Sequence, residues 1–258
     1  MKLVITEKTK VHQLVAIFRH LNGIVTDVNI NLQTDTLYIQ GMDSSHACLI
    51  EINIEKDWFD SFEIEEGVLG VNCAMLFKII DCWKEGQTIT IYSKNYDKLS
   101  VDFEGENTLT KRFQIPLMDI DTDIMDLPET EYQADLCLKS AELKEIVGEL
   151  SIFNDTLQLN CNEEKVVLKA HGDSGTATVE IKQDDIDEYA VEEDTQLSVS
   201  YGIKYINAVC AFHKLSKYLY LHSSENIPLK LQYSLDEEDA ESKNFVRFFI
   251  APKIDDLI

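Results

Sequence analysis

Carboxylates dominate the side chains of this chain that could do chemistry: 47 Asp and Glu stand against 23 Lys and Arg, a net charge of −24. A hydrolytic pair would have to be singled out by burial or mutual perturbation, and no stretch singles one out. One series is ordered, Asp119-x-Asp121-x-Asp123, which opens like a calcium loop. Its sixth position is Ile124, where the loop needs glycine, and its twelfth is Thr130, where a bidentate glutamate should close the shell. The six histidines (12, 20, 46, 171, 213, 222) never approach HxxxH spacing, and the six cysteines (48, 73, 82, 137, 161, 210) contain no CxxC pair. GxSxG, HExxH, P-loop and GxGxxG motifs are absent. These residues predict no catalytic group, no metal and no cofactor, and therefore no enzyme. The cysteines read as buried free thiols of a reducing compartment.

The scarce cations say more. Lys10, Arg19, Lys78, Lys144, Lys204 and Lys214 fall on the non-core faces of four predicted helices. Ordinary solvated lysines would look the same. If those helices line one surface, however, the six charges form a positive strip inside an acidic body, suited to sequence-independent phosphate contacts. The acidic runs at 184–188, 192–194 and 236–241 read as solvated loops that also repel nucleic acid from other faces.

The elements that position these groups follow from periodicity. Residues 9–22 put Val11, Leu14, Ile17, Phe18 and Leu21 on one helical stripe, with Thr9 available as a cap. Alternating apolar residues then mark antiparallel strands: Val28/Ile30/Leu32, Leu37/Ile39, Cys48/Ile50/Ile52/Ile54 and Phe62/Ile64. A helix over 72–83 interrupts them, and strands resume at Ile89/Ile91, Leu99/Val101/Phe103 and Phe113/Ile115/Leu117.

From residue 140 the programme restarts. Leu143, Ile146, Val147 and Leu150 lie 129 positions beyond Leu14, Ile17, Phe18 and Leu21. The offset continues through Leu37/Val166, Ile39/Leu168, Ile50/Val179 and Ile52/Ile181. At 128 positions, Val71, Met75 and Phe77 of the second helix match Val199, Ile203 and Tyr205 of a fourth. Two copies of one α+β domain are inferred, each with two helices and eight to nine strands: residues 1–116 and 135–258, joined by a connector over 117–134. The connector fits neither helical nor strand periodicity, and Pro128 biases Leu127 away from the helical region. It is acidic, yet it carries Ile120, Ile124, Met125 and Leu127, side chains that call for something to dock on them. No run approaches membrane-spanning length, the N-terminus shows no cleavable leader, and a soluble intracellular protein is expected.

Three segments bring a resemblance: GMDSSHACLIEI at 41–52, LMDIDTDIMDLPETEY at 117–132 and FFIAPKIDD at 248–256. With the order of helices and strands, they make the chain resemble, end to end, the proliferating cell nuclear antigen family of eukaryotic sliding DNA clamps, as a divergent member. The resemblance implies a homotrimeric ring of two-domain subunits, helices facing a hole threaded by duplex DNA and sheets outside, acting in the nucleus or a viral replication compartment. DNA polymerase, flap endonuclease, ligase and the clamp loader would dock through short peptides. Carried over by motif, the peptide pocket comprises Met42, His46, Ala47, Leu49, Met125, Leu127, Pro128, Tyr132, Pro228, Phe249, Ala251, Pro252 and Ile254. The subunit contact would join 109–115 to 176–181 of the next subunit through Lys111, Arg112, Phe113, Ile115, Ala177, Val179 and Ile181, with Lys111 and Arg112 facing Glu180.

Two departures from the family's pattern stand out. Helix positions where the family is basic hold His12, Gln13, Asp81, Glu145 and Gly148, and Glu163 occupies the position of the family's ubiquitin-accepting lysine, with Lys165 two residues on. The depleted charge leaves open a second reading, an accessory factor or heterotrimeric clamp subunit that encircles DNA weakly.

Overall fold

The computed structural model describes residues 1–236 and 241–253. Residues 237–240 of the third acidic run, and Ile254 of the expected pocket, lie outside the described residues.

The first half of the chain runs β1 (Lys2–Ile5), α1 (Lys8–Leu21), β2 (Asp27–Gln33), β3 (Thr36–Met42), β4 (Cys48–Glu55), β5 (Ser61–Glu63), β6 (Gly67–Asn72), α2 (Cys73–Ile80), β7 (Thr88–Tyr92), β8 (Lys98–Glu104) and β9 (Lys111–Pro116). The second half repeats that order: β10 (Ala134–Lys139), α3 (Ser140–Leu150), β11 (Thr156–Cys161), β12 (Lys165–Gly172), β13 (Gly175–Lys182), β14 (Glu188–Val191), β15 (Leu197–Gly202), α4 (Ile203–Cys210), β16 (Tyr218–Ser223), β17 (Leu229–Ser234) and β18 (Phe245–Ile250). Among the described residues each copy holds nine strands and two α-helices in the same order.

The chain packs as two compact units. One holds residues 1–43, 50–125 and 242–245, the other 44–49, 126–241 and 246–253 of the described chain. In the first, the sheets run β5-β1-β7-β8-β9 and β4-β3-β2-β6; in the second, β14-β10-β16-β17-β18 and β13-β12-β11-β15. The registers repeat as well. Ile30 lies opposite Ile39, and Leu159 opposite Leu168, each 129 positions further on.

The single offset does not persist, which corrects the sequence alignment at two places. β4 recurs as β13 127 positions on, and α2 recurs as α4 130 positions on. Val71 and Val199 are strand residues of β6 and β15, not helical ones, and Met75 corresponds to Tyr205 rather than Ile203. A slip of two residues leaves strand alternation unchanged, so an apolar pattern alone cannot detect it.

The cores form where periodicity put them. Val11, Leu14, Ile17, Phe18 and Leu21 of α1 are buried, as are Val28, Ile30, Leu32, Leu37, Ile39, Ile50, Ile52 and Ile54 on one face of the β4-β3-β2-β6 sheet. The expected helix over 72–83 is shorter, because Asn72 stays extended and its side chain accepts a bond from Met75 N at 3.0 Å, capping α2. Thr9 caps nothing: the N-cap position of α1 is Glu7, and Thr9 lies inside the first turn. The sequence reading also passed over β1, of four residues, and β6, the end strand of its sheet, each with few alternating positions.

Candidate functional site

The connector is an extended segment held to the first unit by side chains more than by a ladder. Its one bridge is at its start, where Met118 N donates to Gly70 O at 2.9 Å. That approach requires glycine, since a Cβ on residue 70 would sit 2.1 Å from Met118 O. Asn29 Nδ2 then donates to Ile120 O and Thr122 Oγ1 at 2.9 and 3.1 Å. Gln40 makes two bonds to one residue: its Nε2 donates to Met125 O at 3.0 Å and its Oε1 accepts from Met125 N at 2.7 Å. The Met118, Ile124 and Met125 side chains stay exposed.

In the second unit, Leu127 is half-buried and Pro128 exposed. Tyr132 is half-buried with its ring 5.6 Å from that of His222, which pairs through Nδ1 with Asp135 at 2.5 Å. Burial raises the Tyr132 phenol's pKa, Asp135 pushes the same way, and Arg247 opposes. Gln133 ends the segment: Ser224 Oγ accepts from Gln133 N at 2.8 Å, and Gln133 O accepts from Glu192 N at 2.8 Å.

The remaining pocket residues of the second unit lie on three stretches of chain, at 46–49, 228 and 249–252. His46 is exposed on a left-handed backbone (φ 56) and Ala47 O accepts from Ala251 N at 2.9 Å, so these two segments are joined. Leu49 is buried, Phe249 and Pro252 are half-buried, and Pro228 and Ala251 are exposed. Pro252 bridges to Tyr201, and Lys253 N donates to Ser200 O at 2.7 Å. In the first unit, Met42 is half-buried.

Of the six expected cations, several are already engaged. Arg19 pairs with Asp81 at 2.8 Å and lies over the Phe77 ring at 5.3 Å. Lys10 pairs with Glu7 at 3.5 Å and covers Trp58. Lys144 Nζ is 3.4 Å from His213 Nε2, Lys204 lies over Tyr205, and Lys78 and Lys214 are exposed. Lys8, which the sequence reading passed over, pairs with Glu85 at 2.6 Å. Gln13, placed by the resemblance among surface positions, is buried instead, because it lies one turn before Ile17 and beside Leu14, at the border of the buried stripe of α1. His12 is exposed, edge-on to Trp83.

The expected subunit edges are β9 and β13, each the last strand of its sheet. Ala177, Val179 and Ile181 form a half-buried apolar row along β13, while Phe113 is half-buried and Ile115 buried on β9. The charged residues have partners inside the chain. Lys111 Nζ donates to Cys82 O, Arg112 pairs with Glu104 at 3.0 Å and Asp102 at 3.4 Å, and Glu180 pairs with Lys165 at 2.8 Å. Leu109, just before β9, and Ile152, just after α3, are the most exposed large apolar side chains of the described residues, at 80% and 75%.

Asp119, Asp121 and Asp123 are exposed, and no cluster of three or more potential metal ligands occurs among the described residues. Burial drives the Cys73 and Cys210 thiols up to about 12, Asp27 adding to the first and Lys144 opposing at the second.

Two family models match consecutive stretches: proliferating cell nuclear antigen, N-terminal domain, over residues 7–126, and its C-terminal domain over 126–253. The chain belongs to the proliferating cell nuclear antigen family. "Proliferating cell nuclear antigen 2" of Drosophila melanogaster is 25% identical over 239 residues, 92% of each chain. Proliferating cell nuclear antigen of Chaetomium thermophilum (strain DSM 1495 / CBS 144.50 / IMI 039719) is 27% identical over 244 residues, again 92% of each. The resemblance seen in the sequence therefore holds, and the fold is that of a two-domain α+β clamp. At this identity the chain is a divergent proliferating cell nuclear antigen, and family membership supports a sliding-clamp role in DNA replication.

Proposed function

We propose that this chain forms a head-to-tail homotrimeric ring that encircles duplex DNA and tethers replication and repair proteins, making and breaking no covalent bond itself. The observation that carries the reading is the state of the sheet edges. β6 is flanked by Met118 and β15 by Pro252. β4 is flanked at one end by Ala251 and at the other by Lys243 and Asn244, which bond Asn53 and Glu55. β5 and β14 span only three and four residues. Among the described residues β9, of six residues, and β13, of eight, are end strands of their sheets, one in each unit. Open edges of this length pair with another chain or aggregate, and two different edges per chain give a heterologous contact that can close into a ring.

The apolar row of Ala177, Val179 and Ile181, with Phe113, Leu109 and Ile152, supplies surface for that contact to bury. The partner socket would use Met42, His46, Ala47, Leu127, Pro128, Tyr132, Pro228, Phe249, Ala251, Pro252 and the outward Met125. Aliphatic and aromatic anchors of a partner peptide fit such a surface, with DNA polymerase, flap endonuclease, ligase and the clamp loader as the expected partners in a nuclear or viral compartment. Lys10, Arg19, Lys78, Lys144, Lys204 and Lys214 would face DNA.

Light scattering at micromolar concentration tests the ring: a mass near three times 29.5 kDa is expected, and a stable monomer overturns it. The second reading, a clamp-like factor that holds DNA weakly, is favoured by one observation, the pairing of Arg19 with Asp81. A trimer that fails to retain closed circular DNA would select it.

A further inference from the structure

The face of the β4-β3-β2-β6 sheet opposite its core carries polar side chains at alternate positions: Asn29 and Asn31 on β2, Tyr38 and Gln40 on β3, Glu51 on β4. Alternation of this kind ordinarily means a face turned to water. Here three of these side chains form a directed chain of hydrogen bonds that ends on the connector. Tyr38 Oη donates to Glu51 Oε1 at 3.2 Å, Gln40 Nε2 donates to Tyr38 Oη at 3.0 Å, and the same amide takes Met125 through both its N–H and its carbonyl. Glu51 is the buried end of the chain, 8% exposed, and Met125 the surface end, 50% exposed.

We infer that Glu51, Tyr38 and Gln40 are positioning residues that set the conformation in which the connector presents Met125 to a partner peptide. The inference deepens, and rests on, the reading of the connector as a wall of the peptide socket.

The polarity of the chain is fixed at its buried end. The Tyr38 hydroxyl spends its one hydrogen on Glu51 and turns a lone pair toward Gln40. The Gln40 side chain must then point its NH2 at that lone pair, and its second hydrogen reaches Met125 O. Its carbonyl is left facing Met125 N–H. The reversed amide would set NH2 against N–H and carbonyl against carbonyl, so one side-chain orientation satisfies all the groups. Both backbone groups of Met125 are drawn to Gln40, and the Met125 side chain is left half-exposed to solvent. One amide side chain does here what a neighbouring strand does in a ladder. A peptide that needs this arrangement finds it already made and loses less freedom on binding.

The test uses full-length protein and a synthetic peptide with an aliphatic and an aromatic anchor between basic flanks. Two measurements are made on wild type, Tyr38→Phe, Gln40→Leu and Gln40→Glu: amide hydrogen exchange without peptide, and peptide affinity. Gln40→Leu removes both bonds to Met125, and exchange at Met125 N–H should accelerate by about tenfold or more. The Met118 amide, bonded to Gly70 O, serves as the control for general loosening and should not change. Tyr38→Phe leaves Gln40 in place but frees its orientation, so a smaller acceleration at Met125 is expected. Gln40→Glu keeps the acceptor for Met125 N–H and places an oxygen against Met125 O, so it should not restore wild-type behaviour.

Affinity should fall by roughly three- to tenfold in Gln40→Leu and less in Tyr38→Phe, in the order of the exchange rates. Wild-type exchange at Met125 in both Tyr38→Phe and Gln40→Leu overturns the inference. Faster exchange with unchanged affinity overturns it too, since the connector would then be held for some other end. If the wild-type protein does not bind the peptide at all, the socket reading fails on its own account, while the exchange arm still decides whether Glu51, Tyr38 and Gln40 hold Met125.

Discussion

Arg19 on α1 is paired at 2.8 Å with Asp81, the residue that closes α2. The pair is half-exposed on both sides and adds little stability, about 0–1 kcal/mol. Its larger effect is on charge. One of the few cations on the helix surface is neutralised by a carboxylate 62 residues away, in a chain already short of positive charge there.

Freeing that cation should strengthen attraction to DNA. Asp81→Asn removes one negative charge and leaves Arg19 over the Phe77 ring. Affinity for duplex DNA at low salt should rise, and the slope of log affinity against log salt should steepen by up to about one phosphate contact. Thermal stability should change by no more than about 0.5 kcal/mol. Fluorescence anisotropy across a salt series reads both quantities, and equal slopes in the two proteins would remove Arg19 from the DNA-facing set.

The open edges make a second prediction. Val179 lies mid-way along β13, half-buried in the apolar row with Ala177 and Ile181. Val179→Asp puts a carboxylate where the neighbouring subunit's β9 would bury it without a partner, at a cost of several kcal/mol to the assembly. In the isolated chain the same side chain can still reach water. Light scattering should give a mass near 29.5 kDa in place of the trimer, with far-ultraviolet circular dichroism unchanged. A trimer that survives this substitution would show that β13 is not the contact strand.

Much of this architecture is written in periodicity. The α1 stripe from Val11 to Leu21 and the alternating cores of β2, β3 and β4 need only the separation of apolar from polar positions, which short-range sequence carries directly. The offset between copies was harder to read, because a two-residue slip in β6 or β4 preserves the same alternation. Least legible was the connector's attachment. Asn29 and Gln40 look like any polar residue on a wetted strand face, and nothing local in the sequence shows that their amides reach Ile120 and Met125, 91 and 85 positions on. The same holds for Lys111 and Arg112, whose charges suggest a partner chain but whose bonds run to Cys82, Glu104 and Asp102.

Asp119, Asp121 and Asp123 face solvent on the connector beside the exposed Ile124 and Met125. In that setting they would draw in the basic flanks of a partner peptide. Replacing all three with Asn should lower the association rate several-fold at low salt, with little change in dissociation, and the difference should fade near 0.5 M salt as charges are screened. Stopped-flow traces that match the wild type at low salt would return these carboxylates to simple solvation.

The buried thiols make the alkaline limit of stability predictable. Cys73 and Cys210 are held neutral up to about 12, against an ordinary value of 9.0, because burial disfavours the thiolate. Below pH 9 both states of the protein carry these protons and their contribution to stability is complete. Between pH 9 and about 12 the unfolded chain releases protons that the folded chain keeps, so stability falls as pH rises. Burial also raises the Tyr233 phenol well above 10.0, which extends the decline in the same direction. The urea midpoint should therefore drop between pH 8 and pH 10.5, and less steeply in Cys73→Ala/Cys210→Ala than in the wild type. At pH 8 an alkylating reagent should leave Cys73 and Cys210 untouched in the folded protein and modify both once urea unfolds it. Equal pH slopes in the two proteins, or labelling of either cysteine before unfolding, would show that burial does not control these thiols.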